Sequence, residues 1–219
     1  MDELTTLGCE MGNEQIEFWR GEFGDRYIGR NTSQELFNSN IVFFDKIIRR
    51  NKLENIETYI EIGANIGMNI RAINKVCPNW NSFGLEPNGT AFEQLRSVVT
   101  QSDNAINRPI QEFNPSRQWD LVLTKTVLIH VTPEDLPNTY KKIATMARNY
   151  VLIAEYYNPT PVGIEYRGHI NKLFKRDFAG EFISENPDFS LIDYGFTYKG
   201  DPVAPQDDIT WFLLRRKEN

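Results

Sequence analysis

Two glycines and two acidic residues in the first half of the chain have types and a spacing that suit cofactor binding. Gly63 and Gly67 lie in the segment TYIEIGANIGMN (58–69), Glu61 precedes them, and Glu86 follows in the segment SFGLEPN. Glycine has no Cβ, so it permits positive φ and lets a ligand approach the backbone closely. A carboxylate at the position of Glu86 can accept hydrogen bonds from both hydroxyls of a ribose. Together these residues predict a turn that binds a nucleoside.

The spacing of the glycines separates two classes of cofactor. A dinucleotide-binding turn has the pattern G-x-G-x-x-G, and its middle glycine would fall at position 65, where this chain has Asn65. The asparagine side chain would obstruct a pyrophosphate and Glu61 would repel it, which argues against a nicotinamide-dependent oxidoreductase. S-Adenosylmethionine (SAM) has a ribose, an amino group and a sulfonium but no phosphate, and it fits better. The alternative is that the glycines only pack a helix against a strand.

The elements that must position this turn alternate between strand and helix. Apolar segments predict strands at Thr58–Ile62, Ser82–Glu86, Trp119–Lys125 and Tyr150–Tyr156. Helices are predicted from Thr32 to Arg50, from Ile66 to Cys77, and after Thr132 and Pro133. In the first helix, Thr32 and Glu35 fit a capping box. This alternation predicts a three-layer α/β fold with a mostly parallel sheet, whose ligands bind at the carboxyl ends of the strands.

The end of the chain departs from the alternation. The segments LIDYGFTY and ITWFLLRRK are predicted as two strands joined by the loop KGDPVAPQDD. That loop is too short for a helical crossover, so we expect the two strands to pair antiparallel.

The bulk composition limits the class of protein. With 219 residues, the chain is expected to form one domain over residues 1–219, with residues 1–14 partly disordered and residues 15–50 forming an N-terminal lid and helix. A net charge of −6 argues against nonspecific binding to nucleic acid. We recognise no membrane-spanning segment, signal peptide, cysteine framework or metal motif, so a cytoplasmic protein without a bound metal is expected. The oligomeric state stays open.

Six longer segments carry a resemblance to a known family. They are EFWRGEFGDRYIGRN, EIGANIGMNIRA, TKTVLIHVTPEDLP, LIAEYYNPTPVGIEYRGH, LFKRDFAGEF and PQDDITWFLL. In these segments the chain resembles class I SAM-dependent methyltransferases, and specifically the pseudaminic acid biosynthesis-associated methylases. The resemblance implies a Rossmann-like sheet with strand order 3-2-1-4-5-7-6, in which the seventh strand is antiparallel.

The same resemblance implies a set of cofactor contacts. The methionine end of SAM would contact Glu61, Gly63, Ala64, Asn65 and Gly67, and the ribose would contact Glu86. The adenosine would lie near Pro87, Asn88, Ile110 and Gln111, and Thr124 and Lys125 would line the cofactor's other side. Many members of the class have an aspartate before the adenine-facing position, and the corresponding segment NRPIQEF has none.

An aromatic segment near the N-terminus is expected to form a lid over the acceptor. It contains Trp19, Phe23, Tyr27, Arg30 and Asn31, of which the last three are also predicted to contact SAM. Contacts with the acceptor are predicted for Trp19, Tyr157, Asn158, Tyr166 and Arg167. A lid excludes water and aligns the nucleophile with the methyl donor. The alternative is that the aromatic rings only cover the edge of the sheet.

Methyl transfer needs a general base only if the nucleophile is a hydroxyl or an ammonium, because the leaving thioether needs no acid. The predicted catalytic residues are His130, His169, Tyr156, Asp207 and Asp208, with Tyr157 as a further candidate. A single histidine can equally serve as a structural hydrogen-bonding residue.

Basic residues are concentrated in the segment YRGHINKLFKR, which contains Arg167, Lys172, Lys175 and Arg176. They predict a site for the carboxylate or phosphate of an anionic acceptor, with Arg167 as the preferred residue. The alternative is a solvated helix face, which we favour for Lys172 and Lys175.

The predicted function is therefore methyl transfer from SAM to oxygen or nitrogen of a small anionic acceptor, such as a sugar acid or a sugar nucleotide. An N-methyltransferase acting on other small molecules or amino acids is one alternative. A SAM-binding protein without catalysis is another.

Overall fold

Strands in the computed structural model form a seven-stranded sheet and a separate two-stranded hairpin; the structure describes residues 14–30, 32–53 and 55–218. The strands are β1 Thr58–Ile62, β2 Asn81–Leu85, β3 Ala105–Ile106, β4 Trp119–Lys125, β5 Ala147–Glu155, β6 Val162–Tyr166, β7 His169–Lys175, β8 Phe189–Phe196 and β9 Thr210–Arg216. The large sheet has the order β3-β2-β1-β4-β5-β9-β8. With the hairpin β6–β7 set apart, this is the predicted order 3-2-1-4-5-7-6. Strands β1 to β5 run parallel and β9 is antiparallel to both neighbours, which confirms the predicted fold.

Helices cover both faces of the sheet and its carboxyl edge. They are α1 (residues 14–20), α2 Glu22–Ile28, α3 Gln34–Arg50, α4 Met68–Val76, α5 Gly89–Leu95, α6 Leu136–Met146 and α7 Phe178–Glu185. Short 3-10 helices lie at Ser102–Asn104, Ile110–Glu112 and Leu128–His130. None of the described helices is long and apolar enough to cross a membrane.

The parallel strands bury both of their faces, as the apolar runs in the sequence indicate. In β1, Tyr59 packs into one core with α3 and α4, whereas Ile60 and Ile62 pack into a second core with α6 and α7. Successive side chains of a strand point to opposite faces, so one five-residue strand contributes to both cores. This double burial fixes the carboxyl end of β1, where the glycine turn begins.

Two predicted helix starts are wrong in detail. Helix α3 begins after Ser33, whose side chain accepts the amide of Leu36, so the N-cap is Ser33 and not Thr32. Helix α6 begins at Leu136, because Thr132 donates to the side chain of Asp135 in a preceding turn. At α3 the neighbouring Ser33 provides the cap that the sequence pattern assigned to Thr32, whereas at α6 Thr132 takes part in a turn that precedes the helix.

The segment with the basic residues is a β-hairpin, which corrects the expectation of a helix face. Strands β6 and β7 pair antiparallel, and the two residues between them, Arg167 and Gly168, have φ of +55° and +84°. Positive φ at both positions is typical of the tight turns that connect hairpin strands. The side chain of His130 contacts β7, so the hairpin lies beside the carboxyl edge of the large sheet.

Helices α1 and α2 connect the two sides of that carboxyl edge. Gln15 in α1 donates to the carbonyl of Asn171 in β7 at 2.9 Å, and Arg20 forms an ion pair with Glu112 at 2.6 Å. The helices therefore lie over this edge, and their role as a lid stays a prediction. Except for Glu14, which is helical, the residues predicted to be partly disordered lie outside the described part of the chain, as does Asn31.

Candidate active site

The inner cavity lies at the carboxyl ends of β1, β2 and β4, beneath α1 and α2. Eleven residues predicted to bind or catalyse line it: Trp19, Tyr27, Gly63, Ala64, Asn65, Glu86, Pro87, Ile110, Gln111, Lys125 and His130. Gln15, Asn40, Asn69, Arg108 and Val127 also line it and were not predicted. Among the residues that the structure describes, no cluster of His, Cys, Asp and Glu is arranged to hold a metal ion.

The glycine turn, residues 63–67, leaves none of its central amides free for a phosphate. Left-handed backbone occurs at Gly63, Asn65 and Gly67, with φ of +66°, +49° and +78°. The amides donate within the protein: Ala64 to the Leu85 carbonyl (2.8 Å), Asn65 to Glu86 Oε2 (2.7 Å), Ile66 to Asn65 Oδ1 (2.9 Å) and Gly67 to the Ala64 carbonyl (2.8 Å). A dinucleotide-binding turn presents such amides to the pyrophosphate, so the turn is unsuited to NAD.

The two glycines also pack closely, as the alternative interpretation requires. A Cβ on Gly63 would lie 2.6 Å from Val127 Cγ2, and a Cβ on Gly67 would lie 2.8 Å from Val98 Cγ1. Gly63 lines the cavity, whereas Gly67 does not line it and forms the N-cap of α4. Packing and ligand access are therefore combined at Gly63. At Gly67 packing is sufficient to explain the glycine, and its contact with SAM stays a prediction.

Glu61 has an oxygen that no group in the described part of the chain satisfies. Its Oε1 accepts from Asn69 Nδ2 at 2.6 Å, and its Oε2 is buried without a partner. Burial raises the pKa of Glu61 to about 8, against the opposing effects of Asn69 and the positive charge of Lys125. The Oδ1 atom of Asn40, which lines the cavity, is also buried without a partner. Unpaired buried acceptors are costly, so the Asn40 oxygen suits an N–H donor of a ligand. Glu61 itself does not line the cavity, and its predicted contact with SAM stays a prediction.

Glu86 organises the turn and still faces the cavity. Its Oε2 accepts the amide of Asn65 and its Oε1 accepts the amide of Asn88 at 2.8 Å. Burial raises its pKa to about 7, and the two amides oppose this rise. A carboxylate has about four acceptor positions, so about two remain for ribose hydroxyls.

Asn88 was predicted to contact the adenosine, but it lies outside the cavity lining. Its Oδ1 accepts the amide of Ala91 at the start of α5, and its Nδ2 donates to Asp25 in α2 at 3.0 Å. Asn88 therefore caps a helix and holds the lid to the sheet, and a direct contact with the cofactor stays a prediction.

The predicted adenine-facing turn, Ile110–Glu112, is fixed by a lysine. Lys142 in α6 donates from Nζ to the carbonyls of Ile110 (3.2 Å), Gln111 (2.5 Å) and Phe113 (3.0 Å). Three carbonyls at the end of a short helix need donors, and one ammonium supplies all three. The turn is therefore held in place by α6, and its contact with the adenine stays a prediction.

Lys125 and Thr124 lie at the end of β4 and differ in access. Lys125 lines the cavity, its Nζ is 5.8 Å from the centre of the Phe43 ring, and burial lowers its pKa. Thr124 is fully buried within the strand and does not line the cavity. Only Lys125 is therefore placed to contact a ligand directly.

His130 presents one nitrogen as an acceptor. Its Nδ1 is 2.6 Å from the carbonyl of Lys172. Because a carbonyl can only accept, Nδ1 carries the proton and Nε2 has the free lone pair. The ring packs between Trp19 (4.6 Å between centroids) and Tyr166 (5.1 Å), and burial lowers the pKa of His130 to about 4. At neutral pH this histidine is an uncharged acceptor beside the cavity.

Glu155 fixes the turn that carries His130. It is 2% exposed at the end of β5, and its carboxylate accepts the amides of Val127 (3.1 Å), Leu128 (3.1 Å) and Ile129 (3.4 Å). Burial raises the pKa of Glu155 to about 7, and the three amides oppose the rise. One sequence feature could have indicated Glu155: it is an acidic residue at the end of an apolar strand, like Glu61 and Glu86.

The remaining predicted catalytic residues lie outside the inner cavity lining. Tyr156 donates to Asp207 Oδ2 at 2.9 Å, and burial together with this carboxylate raises the pKa of Tyr156. Asp208 accepts the amide of Lys199 at 2.9 Å within the loop between β8 and β9. His169 packs against Phe18 in α1, with ring centroids 5.0 Å apart. Their catalytic roles stay predictions, and the placement of Asp208 gives no support to its role.

The residues predicted to contact the acceptor divide into two groups. Tyr166 covers His130, and Arg167 lies at the hairpin tip. Tyr157 is 42% exposed and packs against Phe212 at 6.0 Å, and Asn158 donates to the nearby carbonyl of Thr160. After β5 the chain turns outward, so the last two side chains do not line the cavity.

Most of the basic residues of the hairpin segment have partners. Lys172 lies 4.0 Å from Glu14, Lys175 lies 5.2 Å from the Tyr156 ring, and Arg176 forms an ion pair with Glu181 at 2.8 Å. Arg167 contacts the Tyr166 ring, and no ion pair of Arg167 is found among the described residues.

Comparison with known proteins supports the fold. No family model matches the chain. Over 92 residues it is 32% identical to alpha N-terminal protein methyltransferase 1 of Drosophila melanogaster. The matched segment covers 38% of this chain and only 33% of that protein.

Two solved structures superpose over most of the chain. A SAM-dependent methyltransferase from Leishmania major has a TM-score of 0.69 and 15% identity, covering 94% of this chain and 83% of that one. The 1,6-didemethyltoxoflavin-N1-methyltransferase of Burkholderia thailandensis, bound to 1,6-didemethyltoxoflavin and S-adenosylhomocysteine, has a TM-score of 0.67 and 14% identity, covering 94% and 91%. The protein therefore has the class I fold of SAM-dependent methyltransferases.

Proposed function

We propose that the protein is a SAM-dependent methyltransferase that methylates oxygen or nitrogen of a small acceptor. The observation that carries the proposal is the glycine turn. Its amides 64–67 are all engaged within the protein, and two buried carboxylates, Glu61 and Glu86, flank it. Such a site disfavours a pyrophosphate and favours a ligand with a ribose and a positive charge.

The residues around the cavity fit the separate parts of SAM. Glu86 would accept the ribose hydroxyls, and the unpartnered oxygens of Glu61 and Asn40 would accept from the ammonium. Pro87 and Ile110 offer apolar surface to the adenine. When bound, SAM supplies a methyl group activated by an adjacent sulfonium.

His130 is proposed to receive the proton of the nucleophile. A hydroxyl would give its proton to Nε2 of His130 as its oxygen takes the methyl group, and S-adenosylhomocysteine would leave as a thioether. A protonated amine would give up a proton to Nε2 before it reacts, because an ammonium has no lone pair. The carbonyl of Lys172 fixes the tautomer that leaves Nε2 unprotonated. Trp19 and Tyr27 line the cavity from the lid side, where they exclude water from the reacting groups.

The acceptor is proposed to be anionic, in the manner of a sugar acid or a sugar nucleotide. Support comes from the basic hairpin tip of an otherwise acidic chain, whose net charge is −6. A peptide with a free N-terminus, which the name of the Drosophila relative suggests for that protein, would bring an ammonium towards arginines. We therefore favour the small anionic acceptor.

The test is methyl transfer from SAM labelled in its methyl group to a panel of acceptors. The panel contains sugar acids, sugar nucleotides, amino acids and short peptides with free N-termini. We expect label in an anionic sugar derivative together with an equal amount of S-adenosylhomocysteine. Label transferred only to peptide N-termini would reject the anionic acceptor, and SAM binding without any transfer would support a non-catalytic SAM-binding protein.

A further inference from the structure

A second depression lies on the outer side of the lid. We call it the outer groove, and it is lined by Phe23, Arg26, Tyr27, Arg30, Arg167 and His169. The lining contains three arginines and a histidine but no aspartate or glutamate. In a chain with a net charge of −6, this concentration of positive charge is the reverse of the overall balance.

Two of the arginines are held by aromatic rings. The guanidinium carbon of Arg30 lies 5.4 Å from the centre of the Tyr27 ring, and that of Arg167 lies 5.4 Å from the Tyr166 ring. Stacking uses the face of a guanidinium and leaves its in-plane N–H groups available. Within the described part of the chain, no ion pair of Arg30 or Arg167 with a carboxylate is found. Their N–H edges are therefore open to an external anion.

The backbone conformation of Arg167 is unfavourable for an arginine, and a role for its charge would explain why an arginine is found there. It occupies the first position of the hairpin turn with φ of +55°, a conformation that favours glycine or asparagine. A side chain with a Cβ is disfavoured in this region, because the Cβ comes too close to the following carbonyl oxygen. The turn thus places an arginine at the tip where a smaller residue would be more stable.

The outer groove adjoins the inner cavity through shared aromatic residues. Tyr27 lines both, and its ring lies 5.3 Å from that of Trp19. Tyr166 carries Arg167 on one ring face and packs against His130 at 5.1 Å. Trp19, Tyr27 and Tyr166 thus form an aromatic wall between the cavity and the groove. An acceptor that spans this wall places one end beside His130 and the other among the arginines.

We propose that the outer groove binds the carboxylate or phosphate of the acceptor while its nucleophilic group lies beside His130. Arg30 and Arg167 provide paired hydrogen bonds to the anion, and His169 contacts the anion from the side. Arg26 also lines the groove, with its charge partly offset by Glu22 at 3.6 Å. The acceptor is then elongated, with an anionic end and a hydroxyl or amine end separated by the aromatic wall. This inference rests on the proposed function, because it assigns a subsite of the same acceptor.

The two histidines of the chain allow a direct test that needs no known acceptor. Ring proton signals of both are followed by NMR at pH 7 while inorganic phosphate, or malonate as a carboxylate, is added to the whole protein at constant ionic strength. We expect a saturable shift of the His169 signals with a Kd of about 1–10 mM, typical of a weak ion contact, and little change at His130. The stronger of the two probes indicates whether the groove prefers phosphate or carboxylate.

Matched variants separate site binding from general attraction. The double variant Arg30→Gln/Arg167→Gln should abolish the shift, whereas Arg96→Gln/Arg215→Gln removes the same charge from exposed arginines elsewhere and should preserve it. Equal shifts of both histidines, no saturation, or a shift that persists in the first double variant would overturn the proposal.

Activity and SAM binding distinguish failure of this inference from failure of the proposed function. With an anionic acceptor, Arg30→Gln/Arg167→Gln should raise KM roughly 10- to 100-fold, because two charge-assisted contacts are lost. Arg167→Gln alone, which keeps every residue predicted to contact SAM, should raise KM roughly 10-fold with the Kd for SAM unchanged. An unchanged KM, with SAM binding intact, would reject the groove alone. Absence of SAM binding in the unmodified protein would reject the methyltransferase and leave the NMR result to decide on the anion site.

Discussion

Glu61 and Glu86 beside the inner cavity are 1% and 5% exposed, whereas Arg30 and Arg167 on the outer groove are exposed to solvent. Glu86 lines the cavity, whereas Glu61 does not line it and accepts from Asn69, which does. Both carboxylates are buried at a desolvation cost, and a bound cation would offset part of it. The arginines remain hydrated, so their charges cost the fold little. We therefore expect binding in the cavity to depend on pH and binding in the groove to depend on salt.

The largest effect is expected when His130, the proposed base between the inner cavity and the outer groove, is removed. The variant His130→Ala should lower kcat roughly 100-fold, the lower end of what a positioned base contributes, because its lowered pKa makes His130 a weak base. The Kd for SAM should change little. In the unmodified enzyme, loss of activity through protonation of His130 should begin only near its lowered pKa of about 4. Measurement of kcat against pH in both proteins checks this, and near-normal turnover of the variant would remove His130 from the mechanism.

Two turns beside the cavity, Leu128–His130 and Ile110–Glu112, are each held by one charged side chain. Removal of these side chains should change different quantities. In Glu155→Gln, one carboxylate oxygen that accepts amides is replaced by an NH2 group, so the His130 turn loses its position and kcat should fall about 10-fold. In Lys142→Met, the adenine-facing turn loses its donor, so the Kd for SAM should rise about 10-fold.

Kinetics and calorimetry on both variants provide the comparison, and each acts as the control for the other. Equal effects of both variants on kcat and on the Kd for SAM would mean that the two turns only stabilise the fold. Recovery of kcat in Glu155→Asp, which keeps the carboxylate, would support positioning of His130 by that carboxylate.

A smaller effect is expected from pH. The folded pKa values of Glu61 (about 8) and Glu86 (about 7) lie above the ordinary value of 4.5, so the folded protein without ligand holds more protons than the unfolded chain. Its free energy of unfolding should therefore fall as pH rises from about 4.5 to about 8. A cationic ligand favours the ionised carboxylates, so SAM affinity should rise several-fold over pH 6–9.

Calorimetric unfolding with and without SAM, over the same pH range, checks both trends. The variant Glu61→Gln should bind SAM with little dependence on pH above about 7. An affinity that falls with rising pH would contradict the role given to the buried carboxylates.

The smallest functional effect should come from the glycine that only packs. Gly67→Ala places a Cβ 2.8 Å from Val98 Cγ1 at φ of +78°, so the free energy of unfolding should fall by at least about 1–2 kcal/mol. SAM affinity should change less than about 3-fold in protein that remains folded. Chemical denaturation and calorimetry give the two values, and a large loss of affinity at unchanged stability would assign Gly67 to the cofactor site.

Local patterns predicted the strand order and the glycine turn, because both depend on hydrophobic runs and on residues close in sequence. The hairpin β6–β7 was missed although Val162, Ile164 and Tyr166 alternate, because most of its residues are exposed and β7 has no such alternation. Glu155 and Lys142 were missed for another reason. Their partners are backbone groups of distant segments, which side-chain types do not reveal.

Asn88 illustrates how one residue type can serve several roles. An asparagine after β2 suits an adenosine contact, a helix cap and a bond to the lid equally well. The sequence selected the first role, and the contacts show the second and third. The sequence does not reveal that α2 lies beside α5, and this arrangement is what brings Asp25 within reach of Asn88.

The most direct test of the account is calorimetric titration of the purified protein with SAM and with NAD. The variants are Glu86→Ala and Asp120→Asn; Asp120 is a buried carboxylate that also accepts backbone amides, at the opposite end of the sheet. We expect SAM but not NAD to bind, with a Kd raised roughly 10- to 100-fold in Glu86→Ala and nearly unchanged in Asp120→Asn. Binding of NAD, or SAM binding that is indifferent to Glu86, would contradict the assignment of the inner cavity.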